Sequence, residues 1–545
     1  MRAHRFLRRV AALLAVVALA ACGSVEPPPK PKLIVLLVVD GLPQRQVTGY
    51  RTQLAPDGLA RFLERGAWFS EAHFGHAFTV TAAGHATLLT GATPRRTGII
   101  GNEWRNLDTG ESVYCTGDTT AHYIDNETKA LDGTSPRNLR AETVGDVLRR
   151  ADPRSKVIGI SGKDRGAILP AGKTGTAYMY MSGTGEFAST THYMPRHPGW
   201  VEAFNRAKPA DRWFKAEWKP LLPEAAYAQS VPDGQPWFGP GGGKLPMTMG
   251  ASDAMPGPSY YGALLRSPFA DALTLDFARA AIAGEQLGRD DAPDILSVSL
   301  SGHDYVNHRW SAESRLSHDH LLQLDRLLEA FFRDLDATVG RDNYVAVLSA
   351  DHGFMPAPEV SRAQGHDSGR VSGSQMLGRV NAALEQRYGL PKLVPFISAS
   401  ALVIDRKVLA ERSLPFEQVA TAARDALVAE PAIGAAYTRF ELERDSRAGA
   451  PFFEAMRRSW HPALSGDVQY ALKPYWMLAS STSMATHGSP HRYDTHVPML
   501  LWGPRWIRPG EVGRRVEVVD LAPTLSRLLG VPPPSSNEGR PLPLP

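Results

Sequence analysis

The 545-residue chain is poor in cysteine: Cys22 and Cys115 are the only two, which excludes a small disulfide-stapled scaffold. It also lacks a strong excess of charge. Lys+Arg 60 against Asp+Glu 56 leaves +4, and four of the cations, Arg2, Arg5, Arg8 and Arg9, stand within the first nine residues. The body of the chain is therefore close to neutral, and overall charge gives no argument for a nucleic-acid partner. The apolar run from Val10 to Ala21 falls short of the roughly 20 residues that span a bilayer. What is present, 43% hydrophobic, 21% charged and 8% aromatic residues, is the composition of a folded globular protein. Its length exceeds one ordinary domain of about 150 residues, so a large core can carry inserted segments.

The basic stretch to Arg9 followed by that apolar run reads as an export signal over residues 1–21. It ends in Leu19-Ala20-Ala21-Cys22, which resembles a bacterial lipobox, with Cys22 as the lipidated first residue of the mature protein. An ordinary signal peptide cut near the same alanines is the alternative. Residues 22–31, with three consecutive prolines, suit a tether between anchor and domain. The expected location is the periplasm, attached to a membrane; Gly23 after the cysteine favours the outer one by family-level sorting rules. Cys115 has no CxxC partner and is expected to be a buried small hydrophobe without a role.

Five short apolar runs have the length and β-branched content of buried strands: Leu33 to Val39, Lys156 to Ile160, Ile295 to Leu300, Tyr344 to Ser349 and Val497 to Trp502. Between the third and fourth, Leu321, Leu324, Leu328, Phe331 and Leu335 form one face of a helix, which makes a βαβ unit. The fold class expected is α/β, a mainly parallel central sheet with helices on both faces. Residues 32–535 form the domain, with insertions near 171–267 and 357–480 over the sheet edge and a tail over 536–545. The run Val516-Glu517-Val518-Val519 returns to the core, and Asp520 is expected to cap a helix from Leu521 to Leu529 that Gly530 ends.

Ligands of an open parallel sheet bind beyond the carboxyl ends of the strands, so the residues after each run matter most. Three runs lead into aspartate: to Asp40, to Asp304 with His308 four residues on, and to Asp351-His352. Carboxylates and imidazoles gathered at one edge suit Zn²⁺ or a similar divalent ion, which would also relieve repulsion among the aspartates. His487 is a further candidate, with His496 competing. An open two-metal site needs about three protein ligands per ion. Asp304, His308 and His487 would complete one; Asp40, Asp351 and His352 would begin the other, leaving a place for a nucleophile. The stretch Phe78 to Gly91 reads as a helix beginning at Thr81, whose hydroxyl would sit where the helix dipole favours an anion. A simple threonine cap is the competing reading.

Taken together these residues resemble the alkaline phosphatase superfamily, in its nucleotide pyrophosphatase/phosphodiesterase branch and more closely the phosphate-irrepressible alkaline phosphatases of the PafA type. In that family the nucleophilic threonine is followed four residues later by histidine and twenty-one later by asparagine. His85 and Asn102 hold those places after Thr81, which selects it over Thr79 and Thr87. The resemblance implies two Zn²⁺ per chain, one on Asp304, His308 and His487, the other on Asp40, Asp351, His352 and the Thr81 oxygen. It also prefers His487 to His496, which is expected behind the site or in the core. Lys163 and Arg165, in Ser161-Gly162-Lys163-Asp164-Arg165-Gly166, match the Lys-x-Arg pair that grips phosphate monoesters. A dianion needs the extra cationic donors that a diester does not.

The implied function is an exported zinc-dependent alkaline phosphatase: Thr81 attacks phosphorus in line, a phosphothreonine forms, and water releases phosphate while Asn102, Lys163 and Arg165 hold the equatorial oxygens. The alternatives are a phosphodiesterase or nucleotide pyrophosphatase of the same superfamily and, from another class, a non-catalytic metal-binding lipoprotein. A sulfatase is disfavoured because Cys115-Thr116-Gly117-Asp118 does not match the CxPxR-like segment. The expected partners are small phosphate monoesters and a membrane through Cys22, with no nucleic acid. The insertions, above all 171–267, are expected to choose the alcohol.

Overall fold

The computed structural model describes residues 29–239 and 242–545, so the export signal and Cys22 lie outside the described residues. Residues Pro31–Pro545 form one compact unit. Its centre is a nine-stranded sheet of β1 (Leu33–Val39), β2 (Ala67–Phe69), β3 (Val157–Ser161), β4 (Thr176–Met181), β5 (Glu186–Ala188), β6 (Asp294–Leu300), β7 (Tyr344–Ser349), β8 (Met499–Trp502) and β9 (Gly510–Val512), in the order β9-β2-β8-β7-β1-β6-β3-β4-β5. The middle strands β7, β1, β6, β3 and β4 are all parallel. All seven residues of β1 and of β6 are buried, as they must be when both faces of a sheet are covered.

Six helices position the site or pack against those that do: α1 (Thr81–Thr90), α2 (Asp164–Ala171), α3 (Pro268–Gly284), α4 (Gly302–Trp310), α5 (Arg315–Leu335) and α6 (Leu521–Leu529). Helix α5 carries the apolar face read from the sequence. Leu321, Leu324, Leu328, Phe331 and Leu335 are all buried, in the crossover that takes the chain from β6 to β7 on the other side of β1. Helix α1 stops at Gly91, whose φ of 65° is the left-handed conformation that glycine adopts without penalty. No helix among the described residues is long and apolar enough to cross a membrane.

Several expectations need correction. The fifth apolar run begins as a strand only at Met499, because Pro498 has no N–H to give a ladder, and it runs antiparallel to β7. The segment expected to be inserted from 171 first supplies β4 and β5 to the main sheet. Val516 and Val518 do return to the main core as expected, with Val516–Glu517 paired to Ala72–His73 in a separate two-stranded ribbon. Asp520 precedes α6 as expected, but its carboxylate accepts from the Glu517 and Arg540 amides rather than from the helix. The segment 357–480 does contain its own four-stranded sheet, with a second apolar core that includes Val380, Leu402, Val419 and Val468.

Candidate active site

Four adjacent parallel strands, β7, β1, β6 and β3, end at one edge of the sheet, and each delivers a charged residue there. Asp40 follows β1 directly, Asp351 and His352 follow β7, α4 begins just after β6 and presents Asp304 and His308 one turn apart, and Lys163 follows β3. Asp40, Asp304, Asp351 and His352 are almost wholly buried. His487 arrives from a loop far along the chain; its ring stacks on that of His352 with centroids 3.4 Å apart.

The imidazoles are aimed by backbone carbonyls. His308 Nδ1 bonds the Ala485 carbonyl at 3.0 Å, His487 Nδ1 the Thr79 carbonyl at 2.9 Å and His352 Nδ1 the Gly353 carbonyl at 2.9 Å. A carbonyl only accepts, so each ring donates from Nδ1 and keeps its Nε2 lone pair for the site. Burial drives His352 and His487 below the ordinary histidine range, which keeps them neutral, the ligating form. His487 Nε2 and His308 Nε2 lie 3.7 and 3.4 Å from Asp304 Oδ1. His352 Nε2 lies 3.6 Å from Asp40 Oδ1 and 3.4 Å from Asp351 Oδ2.

Two groups of ligand atoms, from Asp304, His308 and His487 and from Asp40, Asp304 and His352, each fall within 4.8 Å of one another. Asp40 Oδ1, Asp304 Oδ1, Asp351 Oδ2 and His352 Nε2 are buried without a hydrogen-bond partner. Orphaned carboxylate oxygens converging with neutral imidazole nitrogens make a donor set that fits divalent metal ions. Asp304 belongs to both groups, a sharing that sequence spacing could not express.

The charge in this pocket is unevenly distributed. The Lys163 ammonium lies 2.5 Å from Asp304 Oδ2 and 2.8 Å from Asp40 Oδ2. Burial opposes ionisation of Asp304, but Lys163 and the nearby histidines outweigh it and hold that carboxyl well below the usual range. Asp40 goes the other way: burial, and then repulsion from Asp351, push it up in spite of Lys163. Two carboxylates share one ammonium, and the nearer takes most of the benefit.

Thr81 is the first residue of α1, with Val80 in the cap position before it, and is 1% exposed, so the plain threonine-cap reading does not hold. Asn102 Oδ1 accepts from the Ala82 amide at 2.8 Å, which fixes its side chain beside Thr81 at the helix start. His85, one turn along, bonds the Thr81 carbonyl through Nδ1 at 2.8 Å and Ser299 Oγ through Nε2 at 2.8 Å, so it supports the helix from below. Arg165, on α2, donates to the Tyr114 hydroxyl at 2.9 Å, and that hydroxyl donates to Asp164 Oδ1 at 2.6 Å.

Sequence reasoning missed Tyr114, which lies 51 residues before its arginine and carries no local motif. It also missed Tyr305, whose ring lies 5.0 Å from the Lys163 ammonium. His496 stands apart, stacked on His73 at 4.6 Å and bonded to the Ser70 carbonyl at 2.8 Å. Cys115 is fully buried, and burial pushes its thiol up to about 12.

Residues 34–491 match the family described as type I phosphodiesterase/nucleotide pyrophosphatase. The chain belongs to that family. It is 35% identical over 518 residues to alkaline phosphatase PafA of Elizabethkingia meningoseptica, covering 94% of each chain. It is 33% identical over 523 residues to a Myroides odoratus protein named calcium-transporting ATPase, again over 94% of each. The crystal structure of wild-type PafA superposes with a TM-score of 0.87 at 34% identity, over 95% of this chain and 99% of that one. The type I phosphodiesterase fold, with its alkaline phosphatase-like sheet, is thus the fold described above, and the chain is a hydrolase.

A cavity of about 470 Å³ opens beside this family site, lined among others by Phe78, Asn102, Ile397, Tyr470, Trp476 and His487. Ile397, Tyr470 and Trp476 belong to the 357–480 segment, and none of the lining residues comes from 171–267. The second inserted segment, not the first, walls this cavity.

Proposed function

We propose that this protein hydrolyses phosphate monoesters and releases inorganic phosphate, with Thr81 as the nucleophile. The observation that carries this reading is Lys163: a buried ammonium delivered by β3 into the same carboxylate cluster that Asp40 and Asp304 form. A cation at that depth, with Arg165 two residues on in the first turn of α2, suits a substrate that brings two negative charges.

Asp304, His308 and His487 would hold one Zn²⁺ and Asp40, Asp351, His352 and the Thr81 oxygen the other, and ions there supply positive charge and Lewis acidity. Thr81 Oγ forms the new bond to phosphorus as the ester oxygen leaves, giving a phosphothreonine that water then cleaves. The Asn102 amide, Lys163 and Arg165 hold the non-bridging oxygens through both steps. The position of Thr81 at the first turn of α1 adds the helix dipole to this anion site. We further infer export to the periplasm and a lipid anchor on Cys22, for which the lipobox-like Leu19-Ala20-Ala21-Cys22 is the support. Cys22→Ser would then leave the protein unlabelled by a palmitate analogue and free of the membrane fraction.

Phosphodiester hydrolysis is the second reading, favoured by the apolar walls of the cavity beside Asn102, which would accept a second ester group. Hydrolysis of an aryl phosphate monoester and its methyl diester by the zinc-loaded protein, with Lys163→Ala alongside, separates the two. The proposal expects a strong monoester preference that collapses in the variant. A diester preference unchanged by the substitution would replace it with the phosphodiesterase reading.

A further inference from the structure

Helix α4 carries two of the site's ligand residues, and the polar groups behind it form a buried string of contacts, hydrogen-bonded except where Asp271 meets His320. At its first residue, the Gly302 amide donates to Asp271 Oδ1 on α3 at 3.1 Å. Asp271 Oδ2 lies 3.4 Å from His320 Nε2 on α5 without a hydrogen bond between them, and His320 Nδ1 bonds His303 Nδ1 at 3.3 Å. His303 Nε2 bonds Gln46 Oε1 at 2.8 Å; because Gln46 Nε2 already donates to the Ala312 carbonyl and to Ser317 Oγ, Oε1 is left as the acceptor. Ser317 Oγ in turn donates to Asn307 Oδ1 at 2.6 Å, and Asn307 Nδ2 donates to the Gly41 carbonyl at 3.1 Å.

The string therefore begins two residues before Asp304, passes through the residues immediately before Asp304 and His308, and ends on the residue immediately after Asp40. It draws on four separate helical segments. Gln46, Asp271, His303, Asn307, Ser317 and His320 are all at most 3% exposed. Fit is close at its start: a β-carbon on Gly302 would lie 2.8 Å from Asp271 Oδ2 and 2.9 Å from His320 Nε2.

Six buried polar side chains are a costly way to hold a helix that leucines could hold, since each must find partners or lose about 1–3 kcal/mol. What directional bonds give and apolar packing does not is a fixed rotation and height of α4 relative to the Asp40 turn. We propose that Asp271, His320, His303, Gln46, Ser317 and Asn307 are positioning residues that lock Asp304 and His308 into register with Asp40 for metal binding. The proposal rests on the reading of those three residues as metal ligands. None of the six touches the substrate; they act through the helix that presents the ligands, as outer partners of metal sites do at a typical 10–100-fold in affinity.

The test uses the full-length protein. Zinc affinity is measured by competition with a chelating dye, and the visible absorption of the Co²⁺-substituted protein reports ligand geometry directly. Thermal melting of the metal-free protein runs in parallel. Asp271→Ala and Asn307→Ala should weaken zinc binding by about tenfold or more and shift the Co²⁺ bands. Asp271→Asn, which keeps an acceptor for the Gly302 amide, should recover most of the affinity. Leu335→Ala, a core change at the far end of α5, should lower the melting temperature and leave zinc affinity and Co²⁺ spectrum alone. Should either alanine variant fail to fold, Ser317→Ala breaks one link with the loss of a single oxygen and carries the same expectation. Network variants that melt lower but bind zinc with wild-type affinity and spectrum would overturn the proposal and reduce the string to packing. A wild-type protein that binds neither Zn²⁺ nor Co²⁺ would overturn the metal reading itself, and this proposal with it.

Discussion

Gly84 lies directly against the backbone of Asp351: a β-carbon at position 84 would press into the Asp351 carbonyl oxygen. Helix α1, whose first residue is Thr81, is thus seated on the turn that supplies Asp351 and His352, with no side chain between. Gly84→Ala should force the two apart, at a stability cost of about 1–3 kcal/mol by urea unfolding and a larger proportional fall in kcat/KM. Wild-type activity together with wild-type stability would show that this contact does not set the distance from Thr81 to the site.

Thr81 is the first residue of α1 and not its cap, so its removal should test chemistry more than stability. Thr81→Ala is expected to cut kcat by on the order of a thousandfold or more with little change in melting temperature, whereas Thr81→Ser should retain a measurable rate. Acid quenching during turnover of a ³²P-labelled monoester should trap label on the wild-type protein and none on Thr81→Ala. Label persisting on the alanine variant would place the nucleophile elsewhere.

Arg165 is held by the Tyr114 hydroxyl at 2.9 Å. Tyr114→Phe removes that acceptor and should release the guanidinium at a cost of about 0.5–1.5 kcal/mol, read as a rise of roughly two- to tenfold in KM for monoesters and a smaller change for methyl diesters. A change that is equal for both substrate types would mean that the tyrosine supports the fold and not the anion site.

Chelation should convert the site into a cluster of buried carboxylates that repel one another. Protein treated with a strong chelator is expected to lose activity and to melt at a lower temperature, and Zn²⁺ should restore both. An ion bound at a thousand times its Kd adds about 4 kcal/mol to folding stability, so the difference should be easy to measure by calorimetry. Melting indifferent to chelator and to added zinc would remove the basis for a resident metal.

Cys115, with its thiol pushed up to about 12 by burial, should be inert in the native state. In a Cys22→Ser background, a thiol-reactive dye should label Cys115 only in denaturant, and Cys115→Ala should keep wild-type kcat/KM. Rapid labelling of the folded protein would contradict the packing seen around this residue.

Much of the arrangement is legible in the residues themselves. Strand β1 is a run of seven apolar residues ending in Asp40-Gly41, and a buried parallel strand has no other way to look once both its faces are covered. The same holds for β6 and β7, so three acidic or imidazole-bearing turns could be placed at one sheet edge from the chain alone. Thr81, His85 and Asn102 are picked out by the spacing of the family that the sequence resembles; their residues alone leave a plain helix cap open.

What the sequence by itself determined, then, are the elements whose signal is local: the period of a buried strand, the face of α5, the glycine that stops α1, the aspartate at a strand end. Tertiary structure decided everything that depends on long-range pairing. It reversed β8, moved β4 and β5 from an insertion into the sheet, and gave the cavity wall to the 357–480 segment. It shared Asp304 between two ligand groups, set Tyr114 against Arg165, and assembled the buried string from Asp271 to Gly41. The reason is physical: hydrophobic periodicity is written residue by residue, whereas a hydrogen bond between Asn307 and Gly41, 266 positions apart, exists only after the sheet has brought their elements together.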